Sequence, residues 1–131
     1  MTIDYAVYRS ELLGDIYIAS DGDAIVKVEL FPEEWRAFAS EHPVVESRSP
    51  LLEHALAQLD EYFHGRRQTF DFPVKWHGTV FQQEVWTALC RIPYGETATY
   101  ADIAMQIGRP KAVRAVGQAN RANEVAIVVP C

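Results

Sequence analysis

Apolar and polar positions alternate over the first thirty residues. "DYAVYR" and "GDIYIAS" keep a period of two, and "AIVKVEL" is a mostly apolar, β-branched run. Those are strand patterns, with side chains pointing alternately to two faces. "SDGD" between the second and third runs predicts a hairpin turn, with Gly22 free to take positive φ. The period then lengthens. "PEEWRAFASEH" predicts a short helix behind Pro32. "SPLLEHALAQLDEYFHG" predicts a longer one, with Ser49 as cap, Pro50 in the first turn and Gly65 at the stop. Leu52, Leu56, Leu59 and Phe63 are its expected buried stripe.

"RRQTFDFPVKWHG" has no helical period and holds Pro73 and Gly78, so it reads as a linker with extended character at "TFDFPV". Past it the pattern is helical. "TVFQQEVWTALCRI" opens with Thr79 and has Gln82 three residues on, a capping-box spacing, and Phe81, Val85, Leu89 and Ile92 form its expected stripe. Cys90 reads as core filler there. "PYGE" is a turn. "TYADIAMQIG" predicts a short helix capped by Thr99 and ended by Gly108, and "RPKAVRAVGQANRAN" a third helix opening near Pro110. Two short helices joined by "IGRP" have the layout of a helix-turn-helix. "EVAIVV" then returns as a strand. The fold class expected is α/β (α+β): a sheet-plus-helix lobe, residues 1–75, followed by a winged helix-turn-helix-like lobe, residues 76–131.

Composition narrows the class. The chain has 131 residues, 49% hydrophobic and 23% charged, which suits one soluble domain or two small ones. No apolar run approaches the roughly 20 residues of a membrane span, and "MTIDYAVYRSE" lacks the layout of a secretory signal. Two cysteines, Cys90 and Cys131, make neither a disulfide framework nor a CxxC pair. No zinc site or membrane partner is therefore expected, and a reducing cytoplasm is the expected compartment.

Charge is uneven. Residues 1–75 carry 7 Lys+Arg against 14 Asp+Glu, whereas residues 76–131 carry 5 against 4. From Met105 onward Arg109, Lys111, Arg114 and Arg121 face a single acid, Glu124. A locally basic segment on an acidic protein can meet phosphate; it can equally be a solvated helix face.

Three positions carry candidate chemistry. In the third helix Ala112, Val113, Ala115, Val116, Gly117 and Ala119 are small or apolar, with Arg114 among them. Such a face could let a helix approach a minor groove while the arginine reaches in, or could simply pack on the preceding helix. Tyr100 could donate to phosphate or pack as a half-buried aromatic. Cys131 follows Pro130 on a stiff backbone; a thiol there is a nucleophile only if something favours the thiolate, and is otherwise structural.

"RAVGQANRANEVAIVVPC" resembles the active-site signature of the O6-alkylguanine-DNA alkyltransferases, the methylated-DNA–protein-cysteine methyltransferases. "FQQEVWTALCRIPYGETATYADIAMQIGRPKAVRAVG" is similar to that family's helix-turn-helix lobe, and "SELLGDIYIASDGDAIVKVEL" more weakly to its N-terminal sheet. The resemblance implies a DNA-repair methyltransferase that moves an alkyl group from O6-alkylguanine in double-stranded DNA onto Cys131 once per molecule. O4-alkylthymine is a second candidate substrate. It further implies that Arg114 fills the space of the flipped nucleotide and that Tyr100 contacts the phosphate backbone and helps rotate the base. Asn123 would order the active-site turn, and Ala112, Val113 and Gly117 would lie on the helix face entering the groove. A monomer without a cofactor is expected.

Some family features have no counterpart among these residues. In the family the cysteine is followed by His-Arg-Val and a final helix whose Glu orients that histidine. Here His42, His54, His64 and His77 all precede Thr79, where the helices of the reactive lobe begin, and none matches that histidine. The expectation is a truncated reading frame, a cysteine pKa close to the free value of about 8.5, and weak or absent transfer by this chain. Glu124 and Ala126 replace prolines of some members, and Val113 an alanine. Two rivals stand: an alkyltransferase-like protein that binds alkylated DNA without repairing it, and a winged-helix regulator that reads sequence in the major groove.

Overall fold

A computed structural model describes residues 2–128. They form two compact units, the first running to Lys75 and the second starting at Trp76.

The first unit is built on a four-stranded sheet. Strands β1 (Ile3–Ser10), β2 (Gly14–Ser20) and β3 (Ile25–Glu29) pair antiparallel in sequence, and β4 (Val44–Glu46) adds parallel to β1. The spatial order is β3-β2-β1-β4. Helix α1 (Pro32–Glu41) connects β3 to β4, and α2 (Pro50–Phe63) follows. Alternation along the strands supplies two apolar faces. On one, Ile3, Ala19 and Val26 pack with Trp35 of α1, whose indole lies 5.0 Å from both Tyr5 and Tyr17. On the other, Tyr8 stacks on Phe63 of α2 at 5.6 Å and donates to Asp60 Oδ1 at 3.0 Å. A helix on each face removes the sheet from water, and each fully buried Ile or Leu contributes roughly 1.5–3 kcal/mol.

The first unit departs from expectation in three places. β4 was not foreseen, because "VVE" between a proline and a serine-rich turn is too short to show a period. The buried stripe of α2 is Leu52, Ala55, Gln58 and Leu59, while Leu56 and Phe63 are only half-buried. A helix's core face drifts as 3.6-residue turns accumulate, and steps of four overshoot it. The supposed linker is anchored at its end. Phe72 is buried, Val74 bridges Ile25, and Ile25 N donates to Pro73 O at 2.8 Å while Lys75 N donates to Ile25 O at 2.9 Å. The exposed backbone of edge strand β3 recruits this segment because its donors and acceptors need partners.

The second unit holds α3 (Val80–Cys90), α4 (Tyr100–Gln106) and α5 (Val113–Arg121), packed pairwise. α3 and α4 each start in a complete capping box: Thr79 with Gln82, and Thr99 with Asp102. The carboxyl of Asp102 is held below the usual carboxylate range, chiefly by the Thr99 backbone N–H. α4 stops at Gly108, whose φ of 76° suits only glycine without strain; Arg109 N then reaches Ala104 O at 2.8 Å. The core of this unit is Val85, Trp86, Leu89, Ile103, Val116, Ala119 and Val125. Trp86 crosses from α3 to α5 and donates its indole N–H to Ala119 O at 2.8 Å.

Here too there are corrections. The α3 stripe is Val85, Trp86, Ala88 and Leu89, not Phe81-Val85-Leu89-Ile92. Cys90 is exposed rather than core filler, although partial burial pushes its thiol pKa up. α5 starts at Val113, three residues beyond Pro110, because Pro110 and Lys111 complete the turn. The strand expected at "EVAIVV" is absent over 124–128, where an isolated bridge at Val125 precedes a turn.

Candidate functional site

The site grows out of the α4–α5 pair. Thr99 caps α4, so the next residue, Tyr100, projects from the first helical turn and is 45% exposed. Its ring lies against the backbone of α5 at Gly117. A Cβ on Gly117 would stand 3.0 Å from Tyr100 Cε2 and 3.2 Å from Cδ2, closer than the ring tolerates without moving. One turn on, Asn120 Nδ2 donates to the Tyr100 hydroxyl oxygen at 3.4 Å. Gly117 and Asn120 therefore fix the ring and the phenol from the same helix.

Arg114 stands three residues before Gly117, which puts both on adjacent lines of one helix surface. It is exposed and makes no ion pair or hydrogen bond among the described residues. Gln118 and Arg121 continue its line at helical spacing, and both are exposed. Ala112 is half-buried at the N-cap of α5, and Val113 beside it is 38% exposed. Val116, Gly117 and Ala119 are buried, so Gly117, expected on the exposed face, instead lies beneath the Tyr100 ring. Arg109, by contrast, is engaged: it pairs with Glu84 at 3.3 Å and lies 5.7 Å from the Phe81 ring centre.

After α5 the chain is held by two tight turns. Asn123 Oδ1 accepts from Val125 N at 2.9 Å, a side-chain-closed turn of the kind asparagine forms readily. Ile127 has φ 71°, and Val128 N donates to Ala126 O at 2.8 Å across it. That is a γ-turn with a left-handed β-branched residue at its centre, strained by about 1–3 kcal/mol. Such strain persists where surroundings over-determine the backbone, and it cluster at functional sites. The carboxylate of Glu124 accepts from His77 N at 3.3 Å, tying this loop to the start of the unit. Cys131 lies outside the described residues.

Of the sequence-derived candidates, Tyr100 and Gly117 are in contact. Ala112, Val113 and Arg114 share the start of α5, and Asn123 closes the turn after it. Asn120 was not foreseen as a site residue, and Glu124 was noted only as replacing a proline of some members. The signal for Asn120 was its spacing of three from Gly117, on the side facing α4. Among the described residues no group of three or more His, Cys, Asp or Glu could hold a metal ion. Nor is any helix among them long and apolar enough to cross a membrane.

Two short helices joined by a tight turn, the first capped by Thr99 and the second bearing an exposed, unpaired arginine, have the layout of the DNA-binding helix-turn-helix class. The comparisons narrow this. Residues 80–131 match the model of the 6-O-methylguanine DNA methyltransferase DNA binding domain, and residues 3–76 that of the same family's ribonuclease-like domain. The constitutive methylated-DNA–protein-cysteine methyltransferase of Bacillus subtilis is 50% identical over 130 residues, covering 98% of this chain and 79% of that protein. The Haemophilus influenzae methylated-DNA–protein-cysteine methyltransferase is 36% identical over 132 residues, covering 100% and 73%. A Mycobacterium tuberculosis O6-methylguanine methyltransferase structure superimposes with TM-score 0.88 at 37% identity over 98% of this chain and 76% of that one. The M. tuberculosis OGT structure in complex with DNA gives 0.83 at 37% identity, over 100% and 76%. The chain belongs to the 6-O-methylguanine DNA methyltransferase family.

Proposed function

We propose that this protein repairs DNA by direct reversal, taking the alkyl group of O6-alkylguanine onto Cys131. In the step, the thiolate sulfur attacks the alkyl carbon in line with the C–O6 bond. A C–S bond forms as the C–O6 bond breaks, the electron pair stays with the guanine oxygen, and a proton restores guanine. The protein is left with a thioether, so each molecule acts once. The second unit carries this chemistry, and the first unit supports it. Cys90 is the poorer acceptor, since its raised pKa disfavours the thiolate.

The observation that carries the reading is the exposed side of α5. Arg114 is unpaired there, and the Tyr100 ring is packed against Gly117 on the same helix. A nucleotide in a duplex must leave the stack before its O6 can meet a thiol. An arginine on a slim helix face can occupy the vacated space, and a tyrosine hydroxyl can hold the adjacent phosphate. Asn123 closes the turn that follows α5, and Ile127 centres the next one, both in the segment between Arg114 and Cys131 in sequence. Family membership supports the same assignment.

Binding with Arg114→Ala tests it. Preference for a duplex carrying one O6-methylguanine over the same duplex with guanine is expected to fall at least tenfold, with no sequence preference in either protein. Unchanged lesion preference, or strong sequence preference read from base edges, would exclude the flipping role.

A further inference from the structure

Asn120 has an uneven set of partners. Its Nδ2 donates to the Tyr100 hydroxyl at 3.4 Å, while its Oδ1 is buried and has no hydrogen-bond partner among the described residues. An unpaired buried carbonyl is costly, on the order of 1–3 kcal/mol. Exchanging the amide's oxygen and nitrogen would not cure this. Tyr100 would then donate to Oδ1, and a buried N–H pair would be left without an acceptor, which proteins tolerate less well. The orientation present is the better of two imperfect ones. Buried unsatisfied groups are rare in folded proteins, and one kept next to a site residue calls for a functional reason.

The reason lies in what the phenol can do next. A tyrosine hydroxyl has one proton to give and can also accept. With Asn120 donating to its oxygen, the proton is free to point elsewhere. A phosphate oxygen accepts hydrogen bonds and gives none. Tyr100 is 45% exposed at the start of α4, so the free proton faces solvent or a ligand. The ring cannot retreat toward α5, because the Gly117 backbone already lies against it.

We infer that Asn120 is a positioning residue that holds Tyr100 as a hydrogen-bond donor toward the DNA. This rests on the reading of Tyr100 given above. Asn120 touches no substrate itself. It sets the direction of the phenol proton, and its stranded Oδ1 is the stability given up for that.

The test is a double-mutant cycle in a Cys131→Ser background, so that binding is not followed by transfer. Asn120→Leu removes the donor and the stranded acceptor together at similar size. Lesion preference, O6-methylguanine duplex over guanine duplex, is expected to fall roughly 3- to 10-fold, the worth of one such hydrogen bond. Melting temperature should hold or rise, since a buried unpaired group is gone. Tyr100→Phe should show a similar or larger fall, and adding Asn120→Leu to Tyr100→Phe should change nothing further. If leucine unfolds α5, Asn120→Ala, which needs no more room than asparagine, takes its place in the cycle. A loss of preference that is undiminished in the Tyr100→Phe background would overturn the inference, as would no loss from Asn120→Leu where Tyr100→Phe has one. If Tyr100→Phe is itself silent, or the parent chain has no lesion preference, the reading of the site fails and the inference falls with it.

Discussion

At the scale of single residues, the account turns on how closely Tyr100 and α5 approach. Gly117→Ala would place a methyl 3.0 Å from the Tyr100 ring, so the ring must give by a few tenths of an ångström. Alanine favours helix over glycine by up to about 1 kcal/mol, which offsets the crowding. The expected outcome is a melting temperature near that of the parent with lesion affinity reduced severalfold, by thermal melting and fluorescence binding. A large loss of stability with unaltered binding would contradict it. In the sequence, Arg114 and Gly117 stood out as part of a small-residue helix face that could equally pack on its neighbour, and their roles, like that of Tyr100, came from the family resemblance. Asn120 was not legible, because its partner lies 20 residues away and no local pattern marks that pairing. Trp86 escaped for a different reason: stepping by four from Phe81 skips the indole that bridges to Ala119.

At the scale of elements, the caps were the most legible feature and the final strand the least. Thr79–Gln82 and Thr99–Asp102 are local, and local hydrogen bonds depend on nothing distant. "EVAIVV" has the composition of a strand, but composition says nothing of φ. The turn closed by Asn123 and the left-handed Ile127 break the run before a ladder can form. The edge segment at Val74 was read only as extended, since its partner Ile25 is remote in sequence. The cap of α4 bears directly on the site, because Tyr100 is its first helical residue. Thr99→Ala should cost about 1 kcal/mol of stability and loosen Tyr100, lowering lesion affinity as well. Thr79→Ala should cost a similar amount while leaving lesion affinity almost unchanged, since α3 presents no site residue. Denaturant melts with parallel binding curves would separate the two; equal effects on binding would count against Tyr100.

At the scale of the whole molecule, charge and pH dependence come forward. The chain is net −6, yet Lys111, Arg114 and Arg121 are exposed and unpaired among the described residues. If Arg121 neutralises one phosphate, Arg121→Ala should reduce the slope of log affinity against log salt by about 1, equally on damaged and undamaged duplex. Acid stability has a separate origin. Asp21 is held below the usual carboxylate range, chiefly by the Asp23 backbone N–H, with Ala24 N–H and Lys75 helping against a desolvation that opposes them. A lowered folded-state pKa gives stability that is present above the unfolded value of about 3.9 and lost as pH falls through the folded one. Asp21→Ala should therefore lower stability by about 1–2 kcal/mol at pH 7, and the gap to the parent should close in that acid range. A gap that persisted unchanged at pH 2 would mean the carboxylate's charge is not what stabilises the turn.

The central claim is that Cys131 takes the alkyl group, and intact mass with peptide mapping tests it most directly. The protein is incubated to completion with excess duplex carrying one O6-methylguanine. The account predicts a gain of one methyl per chain, mapped to the peptide holding Cys131, absent in Cys131→Ser, and matched by guanine in the DNA. An unchanged mass from a protein that still prefers the damaged duplex would contradict it, and would leave a protein that binds alkylated DNA without repairing it.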